Sequence, residues 1–260
     1  MAIGSLGSSI LAVKVIGVKL PILYWLILPL CVLMIYTSDH LLDGLKVKDK
    51  ATMGRHYFHY LHRKTITVFL VLIAALSMVL IMLNLDNHMI FYGFFIYFII
   101  LSYILSNHFV NRIFKFFPRE LIITIGYMAG TWGFAFLSKY PSIRHSDILI
   151  FIDHFLIILS IPLLYSIYEY DADKRDGFIS FATTFGIKIT GVIAFIILTI
   201  SVSVSTVYFI LNDLFPALIL ISMAMCLFTV IIFQKKLSSN ENYRIIGDSV
   251  NFLPFLLLIK

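Results

Sequence analysis

Apolar residues in this chain come in long uninterrupted runs rather than in alternating or one-faced patterns. Nine such runs are evident, over about 3–18, 21–38, 66–85, 89–107, 119–138, 147–168, 187–211, 213–233 and 244–259. Most approach the roughly 20 residues that carry a helix across a bilayer's hydrocarbon core. The first is short and contains Lys14. The many β-branched residues do not argue against helix, because in lipid every backbone polar group must be satisfied within its own segment. A membrane β-barrel would need ten-residue alternating segments, which the chain lacks. The pattern predicts an all-α integral membrane protein of nine transmembrane helices, forming a single domain over residues 1–260.

Composition agrees. Sixty per cent of the 260 residues are hydrophobic and 13% are charged, against roughly 45–50% and 25% in soluble domains. So few charges cannot cover a globular surface, which excludes a soluble domain, a disordered chain and a coiled coil. The net charge of +6 would suggest nucleic acid for a soluble protein. Here the basic residues lie between apolar runs, so they report membrane orientation, and no nucleic-acid partner is expected. Fifteen of the 20 Lys and Arg fall in the loops after the second, fourth, sixth and eighth runs. By the positive-inside rule these loops and the N-terminus are cytoplasmic and the C-terminus is outside. Cys31 and Cys226 lie inside apolar runs and read as small core residues. The start lacks a basic stretch before its apolar run, so no cleavable leader is expected.

The acidic residues are also unevenly placed, and orientation does not require that. Nine of the 14 lie in the same loops or at the adjoining helix ends. Asp39 and Asp43 close the second run, four residues apart and so on one helix face. Glu169 and Asp173 close the sixth run with the same spacing, and Asp176-Gly177 follows as a helix end. Two carboxylates so placed repel each other unless a cation lies between them. Mg²⁺ suits such oxygen donors and is commonly shared with substrate phosphates, and the nearby Lys and Arg suit a phosphorylated ligand. The residues therefore predict a Mg²⁺–phosphate site at the cytoplasmic surface, with Asp171 and Asp176 as further oxygen donors.

This layout resembles the UbiA superfamily of intramembrane prenyltransferases, over nearly the whole chain. Asp39 and Asp43 match the aspartates of the family's first motif, NxxxDxxxD, with Ile35 at its Asn position. Glu169 and Asp173 match the second motif, DxxxD, with Glu for the first Asp. Gly177 and the stretch Ser180-Phe181-Ala182-Thr183-Thr184-Phe185-Gly186 match the tail that follows it. Arg55 resembles the family's loop arginine, with His56 at the usual proline. The resemblance implies nine helices around a central cavity and transfer of an isoprenyl group from a prenyl diphosphate to an aromatic or lipophilic acceptor. It implies Mg²⁺ as cofactor, held by Asp39, Asp43, Glu169 and Asp173 as the catalytic set. Arg55, Lys115 and Lys174 would contact the diphosphate, with Arg119 a further basic residue on that side. The departures leave an alternative, a non-catalytic member of the fold that binds a prenyl lipid or transports a small solute. A phosphatidyl-alcohol transferase is excluded because its single compact motif is missing.

Other residues have plainer readings. Tyr36, Tyr127, Trp132, Tyr165 and Tyr168 have the depth to line a cation-stabilising cavity, or to serve in packing and interfacial belts. His56, His59 and His62 read as one face of an interfacial segment capping the site rather than as a zinc set. Asp153, beside His154, is expected to reach the outer surface, and Asp248 to bond between helices. Gly126, Gly130 and Gly133 read as a close helix contact.

Overall fold

The computed structural model describes residues 1–109, 119–212, 215–238 and 241–259. In order, the helices are α1 (Ala2–Ile16), α2 (Tyr24–Val47), α3 (Gly54–Leu61), α4 (Arg63–Asn84), α5 (Asn87–Phe109), α6 (Arg119–Lys139), α7 (His145–Tyr168), α8 (Tyr170–Asp176), α9 (Phe181–Phe185), α10 (Ile187–Asn212), α11 (Phe215–Ile232), α12 (Gln234–Leu237) and α13 (Asn242–Ser249). A 3₁₀ segment, Val250–Leu258, closes the chain. Six of the elements, the regions of α2, α4, α6, α7, α10 and α11, are long and apolar enough to cross a membrane. The chain is therefore a multi-pass membrane protein. Each predicted apolar run falls on helix, but α1 and the described part of α5 are shorter apolar helices. The ninth run departs most from expectation. It is α13 followed by the 3₁₀ segment with Pro254 inside. Proline removes an intrahelical donor, and a 3₁₀ wind rises about 2 Å per residue against 1.5 Å in an α-helix.

α7 lies at the centre. Its buried residues run along most of its length and pack with α1, α6, α10, α11 and α13 into one core. Trp132, fully buried on α6, donates through Nε1 to His154 Nδ1 on α7 at 2.9 Å. Asp153 is likewise fully buried, not at the outer surface as the sequence suggested. Its carboxylate accepts from Ser201 and Ser205 on α10. A carboxylate inside a bundle needs such donors, and here they join α7 to α10. Asp248 accepts from Tyr165 at 2.9 Å, the expected bond between helices. Gly126 and Gly133 give α6 its close approach to α5, where Ile100 and the Tyr92 ring occupy the space of a side chain. By contrast α4 turns Val68, Leu72, Val79 and Leu83 outward, the apolar surface a lipid-facing helix requires.

Between α2, α4, α5 and α6 lies an apolar cavity of about 260 Å³. Tyr24, Cys31, Ile35, Ser77, Tyr97 and Phe134 are among its lining residues. Ile35 stands four residues before Asp39, about 6 Å along the helix axis.

The short helix α3 lies against the end of α2 at Gly44. A Cβ there would stand 2.5 Å from the His56 carbonyl oxygen and 3.1 Å from the Tyr60 nitrogen. Gly44→Ala is therefore expected to push α3 off α2. Overpacking costs about 1–3 kcal/mol, read as a lower thermal midpoint and faster proteolysis between residues 50 and 62. Unchanged proteolysis would show that α3 yields without leaving.

Candidate functional site

One end of the bundle collects the ends of α2, α7 and α8, the starts of α6 and α13, and the whole of α3. The i, i+4 pair at the end of α2 does not stand alone. Arg119, the first residue of α6, donates through Nη2 to Asp39 and to Asp43, the latter at 3.0 Å. Asp43 is 1% exposed, so its charge needs a partner, and one guanidinium serves both carboxylates. His56 Nε2 lies 3.8 Å from Asp43 Oδ2 on another side. Burial first, then the Arg55 charge, pushes the His56 imidazole down to about 4, so it is neutral at pH 7.

The second pair is divided. Glu169 follows the last turn of α7 and is the N-cap residue of α8. Arg55 from α3 reaches it bidentately, at 2.6 and 3.3 Å. Arg244 from α13 donates through Nε at 2.8 Å and through Nη2, and the Tyr243 hydroxyl donates at 2.9 Å. Burial alone would raise this carboxyl; Arg244 and then Arg55 outweigh it and hold it below the usual range. Asp173, one turn on in α8, is buried too. Burial, and next the Glu169 charge, push it up to about 6 against a lowering bond from Ser180. Arg119 and Arg55 both act on Asp173 electrostatically, so the two acidic pairs share one pool of cations.

The supporting residues explain why the chain folds this way locally. Gly177 takes a left-handed conformation (φ 71°) and ends α8. Ser180 caps α9, whose first N–H, from Phe181, donates to Glu120 Oε1 on α6 at 2.7 Å. Asp176 accepts from the Thr52 N–H and hydroxyl at 3.1 and 2.5 Å. That bond ties the segment before α3 to the end of α8.

Of the residues singled out from sequence, Asp39, Asp43, Glu169, Asp173 and Arg55 come together here. Lys174 does not; it is exposed, with its ammonium 5.7 Å from the Tyr170 ring. Asp171 is exposed, and Lys115 lies outside the described residues. Tyr36 packs edge-on to His40 at 4.3 Å, and the Arg244 guanidinium covers the Tyr165 ring at 4.7 Å. Tyr168 stacks on Tyr243 at 4.2 Å. Tyr127 bonds Ser8 at 3.0 Å and, with Trp132, belongs to the interior packing rather than to this end. Sequence reading gave Arg244 and His40 no role. Arg244 sits 75 residues from its partner Glu169, and no spacing rule connects such a pair.

No family model and no curated protein matches the chain. Among solved structures it is similar to the apo structure of a UbiA homolog from Aeropyrum pernix K1. The TM-score is 0.72 at 13% sequence identity, over 99% of this chain and 96% of that one. The chain thus has a UbiA-like fold.

Proposed function

We propose that this protein is an intramembrane prenyltransferase of the UbiA type, moving an isoprenyl group from a prenyl diphosphate to a lipophilic acceptor. The observation that carries this reading is the convergence of both acidic pairs with Arg55, Arg119 and Arg244, one helical turn from the lining of an apolar cavity. A diphosphate needs several cations, and an isoprenyl chain needs a dry apolar space.

The donor set fits Mg²⁺. Asp39, Asp43 and Asp173 offer hard carboxylate oxygens, and Arg119 already occupies the place where a cation would bridge the first two. These three aspartates are the proposed Mg²⁺ ligands. Bound there, Mg²⁺ would neutralise charge on a leaving diphosphate. Glu169 has a different part, because both of its oxygens are taken by Arg55 and Arg244. It holds the two guanidinium groups where a diphosphate can be gripped. When the C1–O bond breaks, the electron pair leaves with the diphosphate and the arginines stabilise it. The allylic cation remains in the apolar cavity, shielded from water. The acceptor's electron pair forms the new bond to C1 and the acceptor gives up a proton. By the positive-inside asymmetry, this site faces the cytoplasm.

The test is Mg²⁺-dependent release of diphosphate from farnesyl or geranylgeranyl diphosphate by the purified protein. Asp39→Ala with Asp173→Ala is expected to lower it by about 10²–10³-fold or more. Tight binding of prenyl diphosphate without release would favour the non-catalytic lipid-binding alternative. Neither binding nor release, with the double variant unchanged, would overturn both.

A further inference from the structure

The proposed chemistry leaves two buried side chains at the same end unused. His40, on α2, is 6% exposed and, among the described residues, has no hydrogen-bond partner at either ring nitrogen. His56, on α3, is 3% exposed; its Nε2 accepts from Arg55 Nε at 3.4 Å, and among the described residues its Nδ1 has no partner. A neutral imidazole always presents one N–H and one lone pair, and leaving them dry is costly. The chain places both rings beside Asp43. One donor atom from each of His40, Asp43 and His56 lies within 4.8 Å of the others.

We infer that His40, His56 and Asp43 form a second cation site, one for a borderline divalent metal of the Zn²⁺ class. Two imidazole nitrogens and one carboxylate oxygen match the ligands of that class. Mg²⁺ prefers an all-oxygen shell, so this site and the aspartate site, which share Asp43, call for different ions. Metal–nitrogen bonds of about 2.0–2.1 Å require the donors to close in by roughly 1–2 Å, within reach of side-chain rotation. His59 lies outside this set of three and is the nearest further imidazole. Its ring lies 5.5 Å from that of His40, and its Nδ1 is 2.8 Å from the Arg55 carbonyl oxygen. An Nδ1–H bonded to a backbone carbonyl leaves Nε2 for a metal, a common arrangement around zinc. The charges of Arg55, Arg244 and Arg119 oppose a cation here, and those of Asp43 and Glu169 offset them. Because His40 belongs to α2 and His56 to α3, the metal clamps α3, and with it Arg55, onto the end of α2. A regularly spaced His56, His59 and His62 set is not what the fold assembles, since His62 is exposed.

The test uses the full chain in detergent, purified through a histidine-free tag, stripped with chelator, and loaded with Zn²⁺ or Co²⁺ in the absence of any diphosphate. After dialysis the protein is expected to retain about one zinc per chain and to gain thermal stability from it. Co²⁺ should give the intense visible band of four-coordinate cobalt. His40→Gln and His56→Gln should each weaken zinc retention by about tenfold or more, while His62→Ala retains it. Excess Mg²⁺ should not displace the zinc. Loss of the metal on dialysis, Gln variants that match the starting protein, or displacement by Mg²⁺ would each overturn the site. If the Gln variants do not fold, the cobalt spectrum of the unaltered chain decides. A four-coordinate band upholds the site, and the pale six-coordinate spectrum overturns it. With no diphosphate present, the outcome is independent of the prenyltransferase reading.

Discussion

Arg119→Ala is expected to lower the thermal midpoint of the protein by roughly 6–20 °C and to abolish prenyl-diphosphate binding. The first effect follows from burial. Arg119 is the guanidinium shared by Asp39 and Asp43, and the side chain of Asp43 is 1% exposed. Breaking a buried pair by removing one partner costs about 3–5 kcal/mol, and in a chain of this size each kcal/mol moves the midpoint by about 2–4 °C. The loss comes from stranded negative charge, so removing that charge should return stability. Arg119→Ala with Asp39→Asn and Asp43→Asn is expected to melt well above Arg119→Ala alone. Mg²⁺ should also stabilise Arg119→Ala more than the unaltered protein, because the vacated place lies between the two proposed carboxylate ligands. Differential scanning fluorimetry of the three proteins, with and without Mg²⁺, reads the stability changes, and calorimetry with a prenyl diphosphate reads the binding. Equal melting of the single and triple variants would show that Arg119 contributes packing rather than charge.

How much of this was legible in the sequence follows from how local each signal is. The helices were legible because a bilayer demands long apolar runs, and a run is a property of contiguous residues. The carboxylate pairs were legible for the same reason: an i, i+4 spacing places Asp39 with Asp43 on one helix face. Asp153 was misjudged because its donors, Ser201 and Ser205, lie on a helix 48 and 52 residues away. An intramembrane acid looks exposed until its partner helix is known. The ionic partners of the acids are more distant still. Arg119 is 80 residues from Asp39, and Arg55 is 114 from Glu169. In one dimension these arginines could be read as loop charge or as diphosphate contacts, but not as the partners of these particular acids. His40 gave no signal at all, since its meaning depends on α3 folding back so that His56 arrives beside it. The ninth run was half legible: its hydrophobicity announced a buried element, but the effect of Pro254 on its winding is a matter of backbone geometry.

Glu169→Gln separates the two roles open to that residue. As the positioning residue described above, Glu169 balances Arg55 and Arg244, whose side chains are only 15% and 16% exposed. The amide keeps its size but not its charge. Two guanidinium groups would then face each other with Glu241, at 3.6 and 3.8 Å and 44% exposed, as their remaining counter-ion. The expected result is a fold weakened by about 3–5 kcal/mol, seen as a lower thermal midpoint. An added anion should repair much of that deficit. Inorganic pyrophosphate is expected to raise the midpoint of Glu169→Gln more than that of the unaltered protein, and to bind it more tightly in calorimetry. In the unaltered protein the anion must compete with Glu169 for the same donors. In the variant the donors are free, and charge-assisted bonds to phosphate oxygens are among the stronger hydrogen bonds. Turnover moves the other way, because arginines without Glu169 are no longer aimed. Diphosphate should bind better and be released from prenyl diphosphate more slowly, giving a lower KM with a lower kcat. If Glu169 were instead a Mg²⁺ ligand, the variant would bind pyrophosphate more weakly and lose part of its Mg²⁺ dependence. The sign of one binding change therefore decides whether the second acidic pair acts as two metal ligands, or as one ligand, Asp173, beside a residue that sets the arginines.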